Sequence, residues 1–149
     1  MLQRIQSLYL LFVLALSVSL LFLPAYQYGI SSGTTTDQES LDTMKSYLVT
    51  DNVLLSLLNG AVALLALVAI FLFKNRRLQI RLTGLSMLLV SILVGLLFFL
   101  ADNLGTTFEQ RVNYRYGAYL PIIQLVFLFL AQRNIRKDEE LVRSADRLR

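Results

Sequence analysis

Four stretches of this chain, 8–23, 53–73, 82–101 and 116–131, hold nearly half of its 149 residues and contain no Asp, Glu, Lys or Arg; all 24 charged side chains fall elsewhere. A water-soluble domain carries about 25% charged residues and returns one to the wet face of each helix every few positions. Here the charged share is 16%, against 56% hydrophobic, and it is segregated. That pattern excludes an ordinary soluble core and points to immersion in a bilayer.

Hydrocarbon offers no partner to a loose N–H or C=O, so each stretch must be helical. Crossing about 30 Å takes about 20 residues at about 1.5 Å each. The second and third stretches reach that length alone. The first reaches it from Ile5 to Pro24, whose missing amide hinders further helix, and the fourth by running on through Gln132 and Asn134. The predicted fold is an all-α membrane protein. It is one domain, a four-transmembrane-helix bundle with spans at about 5–24, 53–73, 82–101 and 116–135, a small external loop region (25–52 and 102–115) and a cytoplasmic C-terminal helical extension over 136–149. The first run is read as a retained anchor, because it is long for a secretory signal and its exit, FLPAYQYG, has no small-x-small cleavage pattern.

Short loops rich in Lys and Arg stay cytoplasmic. Arg4, Lys74, Arg76, Arg77, Arg81, Arg133, Arg136, Lys137, Arg143, Arg147 and Arg149 would lie on one side, and Lys45, Arg111 and Arg115 on the other, a split of 11 to 3. Both termini are therefore expected in the cytoplasm, with the chain crossing the membrane several times.

In the first external loop, Tyr26, Tyr28 and Ile30 alternate as in a short strand. Thr36 with Glu39 three residues later has capping-box spacing, and Leu41, Met44 and Leu48 then recur on one helical face, which predicts a short amphipathic helix. In the second, Phe108, Val112 and Tyr114 alternate weakly, and pairing with 26–30 as a small external sheet is an open alternative to an irregular loop. Beyond Pro121 there is no Gly or Pro, so the fourth span should continue as a tail helix with a stripe at Ile135, Val142, Ala145 and Leu148 and an acid-first Glu139–Arg143 pair. That stripe is a candidate partner-docking surface.

Composition removes much side-chain chemistry. Without Cys or His there is no thiol nucleophile, disulfide, imidazole base or Cys/His metal site. Without an Asp, Glu, Lys or Arg in any of the four apolar stretches, a proton relay or voltage sensor has no carrier. Asp37, Glu39 and Asp42 lack calcium-loop spacing and read as solvated charge. No catalytic residue, metal or cofactor is expected, and the chain is not expected to be an enzyme.

The intramembrane amides Asn59 and Gln124 are expected to form interhelical polar contacts, with a solute path as the rarer use. Ala15 and Ser19, Ser56 and Gly60, and Ser91 and Gly95 are each four apart, with Gly84 on the stripe of the last pair. Such small residues let backbones approach, and they fit a packed bundle or an oligomer seam equally. Lys74, Arg76, Arg77 and Arg81 act as a topogenic signal and are a candidate contact for acidic lipid headgroups. A net charge of +4 is what a positive-inside protein carries, so no nucleic-acid partner is expected.

Three segments, MLQRIQSLYLL, IFLFKNRRLQIRL and GAYLPIIQLVFLFLAQRNIRKDEELVRSADRLR, together resemble the small integral membrane proteins of Bacteroidetes grouped as domain of unknown function 4293. The resemblance covers essentially the whole chain and is most specific over KDEELVRSADRLR. It implies a four-span inner-membrane protein and assigns no activity, cofactor or site residue. The leading expectation is a non-catalytic subunit, scaffold or assembly factor of a membrane complex, with membrane lipids and a protein partner or second copy as its contacts. The alternative is a binder or carrier of a neutral or lipid-like molecule inside the bundle, around Asn59, Pro121 and Gln124.

Overall fold

The computed structural model describes residues 2–30, 43–72, 75–108 and 112–147. They form four helices, α1 (Leu2–Phe22), α2 (Val53–Phe71), α3 (Arg76–Phe108) and α4 (Tyr116–Arg147), and three short strands, β1 (Tyr26–Ile30), β2 (Thr43–Tyr47) and β3 (Asn113–Tyr114). At 1.5 Å per residue α1 and α2 are each about 30 Å long, and α3 and α4 nearly 50 Å. Each helix packs on its neighbours in sequence, and α1 closes the ring against α4. One end carries the strands and the other the extended end of α4; we refer to these as the sheet end and the tail end.

The inward faces follow a spacing of three and four. Leu10, Val13, Ser17 and Leu20 are buried on α1, and Leu55, Asn59, Val62, Ala66 and Ala69 on α2. On α4 the buried positions include Gln124, Leu128, Ala131, Ile135 and Asp138. This is the narrow seam of coiled-coil packing, roughly two residues in seven. The remaining faces stay apolar: Leu11, Phe12, Leu57, Leu64, Leu88, Ile92, Ile123 and Val126 are all exposed. Three helices, over Val53–Phe71, Arg76–Asn103 and Tyr116–Val142, are long and apolar enough to cross a membrane, and the apolar part of α1, Ser7–Phe22, is shorter.

The core has two apolar layers. Toward the sheet end lie Leu20, Tyr26, Val49, Leu55, Leu93, Leu97 and Ala118; toward the tail end lie Leu10, Val13, Val62, Ala66, Val90, Leu128 and Ala131. Between them α1, α2 and α4 each place one polar side chain, Ser17, Asn59 and Gln124, in the seam.

The sheet is antiparallel in the order β2-β1-β3, with Tyr26 opposite both Tyr47 and Tyr114. The alternation at 26–30 thus forms a strand, and the segment between α3 and α4 pairs with it through Asn113 and Tyr114, whereas Phe108 belongs to α3. The amphipathic helix expected around Leu41, Met44 and Leu48 is not formed: 43–47 is β2, and Leu48 is extended. Spacings of three and four over one turn are ambiguous. Here β1 supplies a ladder partner, and the Tyr26 and Tyr47 rings stack at 4.6 Å. Thr36, Glu39 and Leu41 lie outside the described residues. The third helix exceeds its expected span of 82–101 at both ends, taking in Arg76, Arg77 and Arg81 and reaching Phe108.

Loose backbone groups at the helix ends are bound. The Ala25 N–H donates to the Tyr47 carbonyl (2.9 Å) and the Arg115 N–H to the Ala25 carbonyl (2.9 Å), so the chain leaving α1 enters the sheet at once. The Asn52 side chain caps α2 by accepting from the Leu54 N–H (2.9 Å). The Gly117 N–H donates to the Pro24 carbonyl at 3.1 Å. A Cβ on Gly117 would stand 2.6 Å from the Pro24 oxygen and 2.8 Å from that of Leu23, both backbone atoms. Gly117→Ala is therefore expected to cost about 1–3 kcal/mol by overpacking, read as a lowered unfolding temperature in detergent. Gly95→Ala, which meets open space, should leave that temperature unchanged or raise it.

Candidate functional site

Ser17 is where the interior polar groups meet. Asn59 Nδ2 donates to the Ser17 carbonyl oxygen at 2.9 Å, and Gln124 Nε2 donates to Ser17 Oγ at 2.8 Å while standing 3.4 Å from the Val13 carbonyl. The two amides thus tie α2 and α4 to α1. Their other ends differ: Asn59 Oδ1 and Gln124 Oε1 are buried and have no hydrogen-bond partner among the described residues. A carboxamide neither gains nor loses a proton, so this cluster can hold helices or accept from a neutral donor, but cannot relay protons. Pro121, one turn before Gln124, is also buried.

Sequence reasoning singled out Asn59 and Gln124 but missed their common partner. On α1 it selected Ala15 and Ser19, each two positions from Ser17 and off the seam. Ala15 is exposed, and the Ser19 hydroxyl donates to the Ala15 carbonyl (2.9 Å) within its own helix. Gly60 and Gly95 face open space, and Ser91 is exposed with its hydroxyl on the Met87 carbonyl (2.9 Å). Ser56 is half-buried. Gly84 faces a neighbouring helix, since a Cβ there would lie 3.4 Å from Gln132 Nε2 on α4. As a set, these small residues therefore do not line the packed interior; Ala15, Gly60, Ser91 and Gly95 stand on the outer surface. A second missed residue is Gln79, whose buried Nε2 donates to the Ala69 carbonyl (3.1 Å) and joins α3 to the last turn of α2. Both Ser17 and Gln79 sit in the three-and-four rhythm, which was the available signal.

At the tail end, Arg76 and Arg77 lie in the first turn of α3. Arg76 Nη1 donates to the Asp138 carbonyl at 3.3 Å, and Arg77 Nε is 3.5 Å from Glu139 Oε1. Arg77 is almost fully exposed, so this ion pair contributes little by itself. Arg81 is exposed, and Lys74 lies outside the described residues. Of the tail stripe, Ile135 is buried and already used in packing, Val142 is exposed, and Ala145 and Leu148 fall outside the described side chains. Leu141 beside Val142 is exposed too, next to a cavity of about 520 Å³ lined by Asn134, Lys137, Asp138, Glu140, Leu141 and Ser144. Asp37, Glu39 and Asp42 lie outside the described residues, and among those described no three acidic side chains gather as a metal site would require.

The family model described as "Domain of unknown function (DUF4293)" matches residues 2–148, and the chain belongs to that family. No curated protein matches the chain.

Because Gln124 reaches the Ser17 hydroxyl and Asn59 its backbone carbonyl, the two amides should respond differently to Ser17→Ala. We expect that change to cost about 1 kcal/mol in an otherwise unaltered chain and less once Gln124 is Leu, a coupling of about 0.5–1.5 kcal/mol. With Asn59→Leu its effect should be additive. A double-mutant cycle of thermal or denaturant unfolding in detergent measures both, and equal coupling to the two amides would refute the assignment.

Proposed function

We propose that this family member is a four-span bundle of the bacterial inner membrane, with both termini cytoplasmic, acting as a non-catalytic subunit, scaffold or assembly factor whose tail end meets a protein partner. Immersion is supported by the outward apolar faces of all four helices and by the confinement of interior polar groups to the seam. Orientation is supported by charge. The tail end carries Arg76, Arg77, Arg81, Arg133, Arg136 and Lys137, whereas the described basic residues of the sheet end are Lys45 and Arg115.

One observation carries the docking role. Counting about 20 residues of hydrocarbon from the start of α4 brings the helix to about residue 135, so Leu141 stands about 9 Å beyond the lipid tails. Yet Leu141 is 58% and Val142 45% exposed. Lipid chains do not cover large apolar side chains at that depth, while the contacts of Arg76 and Arg77 hold the segment on α3. A protein with a small apolar contact surface would cover them.

A second reading, a binder or carrier of a neutral or lipid-like molecule in the bundle, is favoured by the two unpartnered oxygens of Asn59 and Gln124. Its guest would have to supply hydrogen-bond donors to both.

The chain has no Cys, which makes single-cysteine reporters clean. Ser46→Cys and Asn113→Cys should react with an impermeant maleimide in intact cells with a permeabilised outer envelope, and Ser144→Cys only after the inner membrane is opened. The reverse pattern would invert the orientation. Leu141→Glu with Val142→Glu should leave insertion unchanged while removing a protein recovered in fixed proportion with the wild type. An unaltered set of companions would count against the scaffold role.

A further inference from the structure

A second tail-end pocket of about 250 Å³ is lined by Phe129, Gln132, Arg133, Arg136, Lys137 and Glu140, all on α4. Phe129, Arg133, Arg136 and Glu140 are spaced four, three and four apart and so stand above one another on one helical face. Toward the sheet end the same face continues through Val126 and Ile122. Phe129, Val126 and Ile122 are exposed by 52%, 55% and 41%. Within about 27 Å of helix, large apolar side chains thus give way to three cations.

Those cations are uncommitted. Arg76 and Arg77 are engaged by Asp138 and Glu139, whereas Arg133, Arg136 and Lys137 have no ion pair or hydrogen bond among the described residues. Three cations against the single carboxylate of Glu140 leave the lining at +2. Their depth, about 26–32 Å along α4 from its start, is where the hydrocarbon layer ends and headgroups begin.

We propose that this face of α4 binds one anionic phospholipid, with its phosphodiester among Gln132, Arg133, Arg136 and Lys137 and an acyl chain along Phe129, Val126 and Ile122. An arginine fork offers paired N–H donors to phosphate oxygens, and lysine adds a point charge on an apolar stem. Glu140, at the outer rim, accepts from a headgroup hydroxyl and disfavours a second negative charge. This site adjoins the Leu141 and Val142 surface, with Lys137 and Glu140 on the border between them, and it rests on the bilayer immersion proposed above.

The test uses the full-length protein in neutral detergent, with native mass spectrometry of bound phosphatidylglycerol against phosphatidylcholine. Wild type should retain one phosphatidylglycerol preferentially. Arg133→Gln/Arg136→Gln/Lys137→Gln should weaken that retention by about tenfold or more, while Arg77→Gln/Arg81→Gln changes it by less than about twofold. Equal losses in the two variants would mean diffuse attraction and overturn the proposal; so would displacement by millimolar inorganic phosphate, which would indicate a soluble-anion site. A phosphatidylglycerol with a photoactivatable acyl chain, which needs no variant, should cross-link the wild type within residues 122–129, and labelling confined to other helices would also overturn it. Resistance of the chain to alkaline extraction from membranes is scored separately. Extraction refutes immersion, whereas a membrane-retained chain without lipid preference refutes this site alone.

Discussion

A polar group placed among apolar neighbours must find its partner inside the chain, and the middle of this structure is arranged around that requirement. Asn59 and Gln124 both satisfy an amide nitrogen on Ser17. The apolar layers on either side, built largely of Leu, Val and Ala, tolerate those exchanges of a one-turn helix slide that conserve volume. The polar layer does not. Moving α2 by a turn would strand the Asn59 amide, and an unpaired amide in an apolar medium costs about 2–7 kcal/mol. The amides therefore set register more than they add stability. The arrangement is incomplete, because one oxygen of each remains unpartnered, and that residue of unmet hydrogen bonding makes the centre the place where a donor-bearing guest would be most welcome.

The tail end solves a different conflict. The proposed orientation calls for positive charge there, but Arg76 and Arg77 occupy the first turn of α3, where the helix dipole already presents partial positive charge. The long α4 relieves this. It carries the Asp138 carbonyl and the Glu139 carboxylate to the start of α3, placing acceptors where the dipole and the arginines both favour them. Asp138 and Glu139 then compensate the arginines at the start of α3, with Ile135 anchoring this part of α4 from the buried side. Because those two arginines are occupied, the uncommitted positive charge moves to Arg133, Arg136 and Lys137 on α4.

The four helices and the unbroken run of α4 were legible in the sequence, since charge segregation and the absence of Gly and Pro after Pro121 are strong signals. The inward faces were legible only in part. In a soluble helix, hydrophobicity itself marks the core face; here the outward faces are apolar as well, so only the polar residues mark the seam. Asn59 and Gln124 stand out because amides are conspicuous among leucines, but Ser17 differs little from Ser19 by composition, and the rule of small residues four apart selects Ser19, whose hydroxyl stays within its own helix. Gln79 is hidden because it sits between Arg77 and Arg81, where a polar residue is not conspicuous. The strand at 43–47 was missed for another reason. Its partner, β1, is local in space but separated by 12 residues of intervening chain, and the spacing of Leu41, Met44 and Leu48 carried no information about that pairing.

The two ends are consequently unlike. At the sheet end, the chain leaving α1 is bound on both sides of Ala25, Gly117 is pressed against the Pro24 backbone, and the buried Tyr26 ring plugs the apolar layer against Tyr47. Such an end has little freedom to rearrange, since its backbone groups already have partners and its packing leaves no space for a methyl group at Gly117. At the tail end, the contacts between α3 and α4 include a long hydrogen bond to a carbonyl and an exposed ion pair, both weak by comparison. A partner gripping Leu141 and Val142 would therefore shift the end of α4 beyond Ile135 at small energetic cost, whereas the buried Gln124, Leu128 and Ala131 hold the rest of the helix in place. The polar layer at Ser17 thus fixes the register of α4, and the tail surface stands on the part of that helix freest to respond to a partner.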